Sequence, residues 1–544
     1  MKQSTTIQLI ITTGILLLIG TTYGVNHVPN QTKTISKQTL NIGTNTPIET
    51  MDSNLYTSHE AYEALHATMI GLYSHNAKNQ VIPAISDNHP QKSHTGLTYV
   101  FTLRKFKWSN GDTVRAQDFV YAWRRQVDPK TNSRNASRLD FIKNAAAVRT
   151  GSKPVTQLGI KALDSQHLQI KLSAPTPYLT QLLSDATTLP INQRFAEKLG
   201  TQYGDSATHV LSDGPYAISG WSGSKDKNWA FIKNNQYRFN DRVKVDRVAF
   251  QVIHSAQKTT HLFNTGKLDF APLTANTIPN YTDTHNIKIQ SSVTSAYLFF
   301  NTMSGATTDV HLRRALSMAY DKRLLTQSKL KNGAKPLNGL MPQGLTTGPD
   351  GMDYRKSTGQ LEAYNLTKAA KNWRLAKRDL GVKHLTLNLL IANNSTARIT
   401  AEFLRGQLEH NLPGLTITIS KVSLEHRVQL EAAGKFQLVF STWTPADDDP
   451  YNFLTFYQTG NRQNITGFSS TKIDTLLKQI TQNSNNATKR WQLIQKTERY
   501  LMQAEVPSSG VFQDGQAYLL NQRVQQFPIS ASGLINYEYV RLKP

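Results

Sequence analysis

Apolar residues change period several times along the chain, and each change marks an element. Leu40-Asn41-Ile42-Gly43 opens the ordered pattern. Tyr62, Leu65, Met69 and Leu72 then recur at the spacing that lines one side of a helix. Tyr99-Val100-Phe101-Thr102-Leu103-Arg104 alternates instead, which places Tyr99, Phe101 and Leu103 on one face of a strand. Ser109-Asn110-Gly111-Asp112 supplies a turn. A helix is predicted over Ala116–Val127, with Phe119, Val120, Trp123 and Val127 on its apolar side and a stop before Asp128-Pro129. Farther on, Val245, Val248, Phe250 and Val252 read as strand and His311–Lys322 as helix. Ile399, Phe403, Leu404 and Leu408 define a helix stopped by Asn411-Leu412-Pro413-Gly414, and Leu415-Thr416-Ile417-Thr418-Ile419 alternates as a strand. Helices and strands follow one another irregularly, with no short-period repeat and no long low-complexity linker. The pattern predicts a mixed α/β chain folded into a few large lobes.

The N-terminus stands outside that pattern. Lys2, an apolar run from Ile7 to Ile19 and the small residues around Thr22-Tyr23-Gly24 have the layout of a secretory signal, so residues 1–24 are read as a signal peptide or N-terminal anchor. At about 13 to 18 residues the run is short for a full membrane span. Leu18-Ile19-Gly20 resembles the start of a bacterial lipoprotein signal, but Thr21 stands where the lipid-bearing cysteine belongs, and a threonine cannot form the thioether. Residues 25–37 are polar and read as a tether. No later apolar run approaches about 18 residues, so the remainder is expected outside the membrane.

Composition narrows the class. At 544 residues the chain is long enough for about three or four domain-sized units at roughly 150 residues each. Its 38% hydrophobic content, with 21 Tyr, 20 Phe and 7 Trp, excludes a disordered or collagen-like chain. Cysteine is absent, which excludes disulfides, cysteine-ligated metals and thiol nucleophiles. With 61 Lys+Arg against 37 Asp+Glu the formal net charge is +24. Lys368, Lys371, Arg374, Lys377 and Arg378 crowd one predicted helix. Its basic residues lack the interleaved aromatics of a nucleic-acid stacking platform, so no nucleic-acid partner is expected. Anionic cell-envelope polymers are the partners such a charge would attract, through a field that salt screens.

Catalytic signatures are missing. There is no phosphate-binding glycine loop and no G-x-S-x-G elbow. His59-Glu60 begins like a zinc-protease helix, but Glu63 occupies the second histidine place. Asp447-Asp448-Asp449 lacks the spacing and turn glycine of a calcium loop. The weight moves from catalysis to binding, and no cofactor or metal is expected.

Several segments, in one order, resemble the oligopeptide-binding proteins of bacterial ABC importers, the family 5 extracellular solute-binding proteins. Tyr99–Arg104, Lys107-Trp108-Ser109-Asn110-Gly111-Asp112 and Asp118-Phe119-Val120-Tyr121-Ala122-Trp123 are similar to that family's most characteristic block. Asp213-Gly214-Pro215-Tyr216 and Lys233-Asn234-Asn235-Gln236-Tyr237 resemble its next elements. Phe300-Asn301-Thr302, Asp309–Leu316 and Ala319-Tyr320-Asp321-Lys322 look like the start of its second lobe, and Trp443 with Asp449-Pro450-Tyr451-Asn452-Phe453-Leu454 like its ligand-side segment. The resemblance implies a two-lobed α/β periplasmic-binding-protein-like fold of the large, class II peptide-binding type. Lobe I would comprise residues 38–74, 211–297 and 512–544, with an extra subdomain at 75–210, and lobe II residues 298–511.

It also implies a function: a monomeric receptor, exported to the outer face of the bacterial cytoplasmic membrane or cell wall. It would bind an oligopeptide between its lobes, close about a hinge and deliver the ligand to the permease subunits of an ABC transporter. Peptide backbone would pair with protein backbone near Thr57, Ser58 and His59, and the Trp443-Thr444 end of the facing segment would contact ligand. In relatives an aspartate three residues after that Trp holds the peptide's ammonium. Here the place is Ala446, and Asp447 is the nearest acid. Either the loop lets Asp447 serve, or the amino terminus is held differently, as longer, blocked or non-peptide ligands would allow. Asp447 to Asp449 also read as a solvated acidic loop. The resemblance further suggests that Arg115, standing where relatives often have a capping threonine, leaves that helix cap weakened or displaced to Thr113, and that Arg313 and Asp321 hold a helix rather than a ligand. A cationic surface protein of the same fold, repurposed for adhesion or peptide sensing, is the alternative. A hydrolase on this scaffold has no motif behind it.

Overall fold

The computed structural model describes residues 38–87, 89–176, 178–273, 286–445, 448–461 and 463–543, so the expected signal and tether lie outside the described residues. Eleven strands among the described residues form one sheet. In chain order they are β1 (Thr39–Thr44), β2 (Tyr216–Ser219), β3 (Asn228–Lys233), β4 (Arg247–Val252), β5 (Phe270–Leu273), β6 (Ile287–Phe300), β7 (Lys335–Pro336), β8 (Leu385–Ala392), β9 (Leu415–Val422), β10 (Leu438–Trp443) and β11 (Ser508–Leu520). Hydrogen-bonded neighbours run β9-β8-β10-β6-β11-β5-β1-β4-β3-β2, with β7 added to β11. β1 is parallel to β4 and β5, and β8 is parallel to β9 and β10.

The long antiparallel pair β6 and β11, 14 and 13 residues, joins the two halves of this sheet. Ile287–Ser291 pairs with β11 beside β5, whereas Ser295–Phe300 lies between β11 and β10. The register breaks between these two stretches. Ser291 faces Gly515 and Ser295 faces Gln513, leaving Ser292, Val293 and Thr294 opposite Asp514. Extra residues bend a strand and sharpen its twist, so the halves meet at a bend.

Period-two alternation explains the packing around the second half. Leu298 and Phe300 join one apolar cluster, with Leu389, Phe440 and residues of the helices Val310–Met318, Leu366–Leu380 and Ser395–Asn411. Tyr297 and Phe299 point to the opposite face and join Met341, Val439, Phe453 and Ile494. Both faces are therefore buried at the inner strands β6 and β10, which read there as nearly continuous apolar runs, whereas the edge strand β9 alternates with exposed Thr416 and Thr418. The first half packs against the helix His59–Thr68 and a separate four-stranded sheet containing Thr98–Thr102 and His167–Lys171, through Leu40, Ile42, Leu65, Phe101 and Trp108.

Several sequence expectations acquire a physical reason. The helix Ala116–Val127 forms with the predicted limits, but its N-cap is Arg115 and not Thr113. The Asp118 carboxylate accepts the Arg115 N–H at 2.9 Å and the Trp108 indole N–H at 3.3 Å. In Asp213-Gly214, a Cβ on Gly214 would come 2.8 Å from the Met69 nitrogen, and Asp213 Oδ1 accepts the Ile70 N–H at 3.0 Å. The expected helix His311–Lys322 is instead Val310–Met318 followed by a new start. Asp321 caps that start by accepting the Arg323 N–H at 2.9 Å, and Lys322 turns inward to the Leu337 and Glu362 carbonyls at 3.0 and 3.1 Å. Arg313 is buried and donates to the carbonyls of Thr307, Thr308, Glu505 and Val506.

Candidate functional site in the inter-lobe cleft

A cavity of about 550 Å³ opens between the two halves of the sheet. Tyr62, Lys78, Asp185 and Ser530 line it from the first half, Leu345, Asp353, Pro445 and Asp448 from the second, and Val293 of the bulge lies in its wall.

Each wall is held by a specific polar contact. The Val293 N–H donates to the Ala531 carbonyl at 3.0 Å, and the Gln290 amide donates to the Ile529 and Ser530 carbonyls at 3.0 and 3.2 Å, so β6 carries the 529–531 segment. Across the cavity, the buried Glu498 carboxylate accepts the Leu340 N–H at 2.7 Å, the Met341 N–H at 3.2 Å and the Tyr354 hydroxyl at 2.9 Å, and pairs with Arg355. One carboxylate therefore anchors the lip from Leu340 to Arg355. On the first side, Asp185 Oδ2 accepts from Arg138 at 3.0 Å. The neighbouring His66 ring meets Tyr62 edge-on at 4.5 Å. Its Nε2 is buried without a partner, and burial pushes its pKa down to about 4, so the imidazole is neutral at physiological pH.

The sequence-derived candidates divide between this cavity and other places. Trp443 ends β10, half-buried, with Phe453 edge-on at 4.4 Å and Tyr297, Phe299 and Leu340 around a small apolar crevice. Thr444 Oγ1 lies 2.7 Å from Thr294 Oγ1, which ties the segment to the bulge and brings Pro445 to the cavity wall. Ala446 and Asp447 lie outside the described residues. Asp449 corrects the picture of a solvated acidic loop: it is buried, 2.6 Å from Arg490, and its second oxygen accepts the Tyr451 N–H at 3.0 Å. Thr57 and His59 are not among the residues lining the cavity. Glu49 accepts the Thr57 N–H at 2.7 Å, and the His59 imidazole lies 3.7 Å from Glu63.

Lys78, Asp185 and Ser530 escaped the sequence reading because they sit outside helices and strands, on segments placed by distant partners, as Gln290 holds Ser530 from 240 residues away and Arg138 holds Asp185 from 47. Tyr62 was visible only as part of a helix stripe. Asp309, His311 and Asp379 place one ligand atom each within 4.8 Å of one another, the closest such group of three among the described residues, but they do not line the cavity.

The family model for bacterial extracellular solute-binding proteins, family 5, matches residues 80–464. The chain belongs to this family. A dipeptide-binding protein of Lactococcus lactis is 30% identical over 474 residues, covering 84% of this chain and 86% of the relative. Listeria monocytogenes OppA bound to peptide superposes with a TM-score of 0.80 at 30% identity, covering 94% of this chain and 100% of that one. The pheromone receptor PrgZ, solved for its mode of peptide binding, superposes with a TM-score of 0.80 at 29% identity over 93% of this chain and all of that one. The two-lobed fold is thus that of the OppA-type binding proteins. This family is one of extracellular solute-binding proteins rather than enzymes, and its named members do not favour the adhesion alternative.

Proposed function

We propose that the chain is the extracytoplasmic receptor of a peptide importer. It takes an oligopeptide into the cavity between its lobes and presents the closed complex to the permease subunits of an ABC transporter. The cavity carries this reading, because it is lined from both halves of the sheet and backed by the bulge that joins them. A ligand touching both walls binds the closed state better than the open one, and that difference is what drives closure. Its action is binding alone, without covalent chemistry.

We assign lobe I to residues 38–74, 211–297 and 512–544, its subdomain to 75–210, and lobe II to 298–511. Trp443 and Thr444 stand at the ligand side of lobe II, and Asp447 holds the peptide's ammonium. The receptor works as an exported monomer on the outer face of the membrane or in the cell wall, without a cysteine-linked lipid. Exposed Lys368, Lys371 and Arg374 on the helix Leu366–Leu380 would draw it to anionic envelope polymers.

Native mass spectrometry of the protein from its own host, followed by denaturation, tests the reading. A heterogeneous set of released peptides is expected. An empty protein that also ignores a broad peptide mixture would refute it.

A further inference from the structure

A second cavity, about 280 Å³, lies on the first half of the sheet and shares no lining residue with the inter-lobe cavity. One wall is aromatic: Trp229 and Phe250 stack 5.3 Å apart at 11°, and Phe270 lies beside them in the lining. Such ring faces attract cations. Glu60 and Glu63 also line it, and His59 lies 3.7 Å from Glu63. None of the described lining residues is Lys or Arg, although the chain carries 61 of these against 37 acids. In so basic a protein, a pocket lined by two glutamates and, as its one basic side chain, the imidazole of His59 favours positive charge.

Two of its lining residues carry a buried polar atom without a partner, Trp229 Nε1 and Gln516 Oε1, and Trp229 is only 4% exposed. An indole N–H can only donate and an amide oxygen can only accept. The residues around the pocket therefore hold one unfilled donor and one unfilled acceptor.

We propose that this cavity is a second binding site, for a small organic cation that also carries a hydrogen-bond acceptor, as an α-ammonium carbonyl compound does. The ammonium sits by Glu60 and Glu63 and gives a hydrogen to Gln516 Oε1. The apolar stem lies on the aromatic wall, and Trp229 Nε1 donates to the carbonyl. Burial raises the Glu63 carboxyl to about 7, and a bound ammonium would hold it ionised. The ligand's source is either a free small amine or the amino end of a peptide. The site itself does not require that the larger cavity bind peptide.

Calorimetric titration of the full chain with L-leucinamide and N-acetyl-L-leucinamide tests this, because the two share side chain and carbonyl and only the first is a cation. Leucinamide is expected to bind and the acetylated compound to fail. Glu60→Gln should weaken leucinamide at least tenfold, and since Glu60 accepts a hydrogen bond from the Thr46 hydroxyl, which a glutamine oxygen can also accept, the variant should keep its fold. Glu63→Gln is the weaker probe, because Glu63 also accepts from Tyr537. Trp229→Phe keeps the wall, removes the donor and should erase the preference for leucinamide over isopentylamine. No binding of leucinamide, equal binding of both compounds, or indifference to Glu60→Gln would overturn the proposal. With the site established, excess tripeptide sorts its source: displacement of leucinamide assigns the pocket to peptide amino ends, and undisturbed binding assigns it to a free amine.

Discussion

Arg490 Nη2 lies 2.6 Å from Asp449 Oδ2, an ion pair beneath the loop that follows Trp443. The carboxylate is 4% exposed and the guanidinium 17%, and the other carboxylate oxygen accepts the Tyr451 N–H. Asp449, in the segment that resembles the family's ligand side, therefore holds the start of the helix at Tyr451, and its neighbour Asp448 lines the cavity. Breaking a buried pair by removing one charge strands the other. Asp449→Asn is expected to lower stability by about 3 kcal/mol, and Asp449→Asn with Arg490→Met by less. Urea denaturation of the single and double variants checks this, and equal losses would mean that the pair acts independently of its charges.

Trp443 offers a different outcome. Its ring is half-buried against Phe453, so part of its surface is available to a ligand. Trp443→Ala should weaken peptide binding about tenfold or more, equivalent to about 1.4 kcal/mol. Trp443→Phe, which retains an aromatic face, should lose less. Fluorescence titration with a released peptide distinguishes this from a purely structural role, in which thermal stability would fall and affinity would not.

The fold was more legible than the site, and the reason is range. The helix Ala116–Val127 is written locally, in a four-residue apolar stripe and in Asp128-Pro129, whose backbone preference ends it. Trp443 was visible only through the segment that resembles the family's ligand side. The cavity wall was not, because Gln290 holds Ser530 across 240 residues and Glu498 holds Leu340 across 158. No local period records such pairings. The break after Met318 was missed for a related reason: Asp321 reads as one more helix residue until Lys322 is seen reaching inward to Glu362.

His66 predicts an acid limit. Its folded pKa of about 4 lies below the ordinary 6.5, because burial disfavours the charged ring, with Asp185 acting the other way and His75 reinforcing it. A lowered folded pKa means that the unfolded chain takes the proton first. The stability from this site is therefore fully present above 6.5 and is lost as pH falls toward 4, by an amount on the order of 2–3 kcal/mol. Chemical denaturation across that window should show His66→Gln declining less steeply than the unaltered protein. Parallel slopes would exclude His66 as the responsible group.

The crossover strand predicts the last result. Gly515 faces Ser291 at the edge of the bulge, and a Cβ there would run into the backbone of Asn332, Gly333 and Ala334. Backbone cannot swing aside as a long side chain can. Gly515→Ala must push Asn332 away, together with its side-chain hydrogen bonds to Asp514 at 3.0 Å and to the Gly515 carbonyl at 3.2 Å. A loss of about 2–3 kcal/mol is expected, as for overpacking elsewhere. Because the strain falls on the strand pair shared by both lobes, peptide affinity should drop as well. Gly406, inside the helix Ser395–Asn411, is the control, since its Cβ would meet nothing within 4 Å. Gly406→Ala should stabilise by about 0.5–1 kcal/mol through helix propensity and leave affinity unchanged. If both substitutions shifted stability alike without touching affinity, the bulge would be only a packing feature and the bend between the lobes would lie elsewhere.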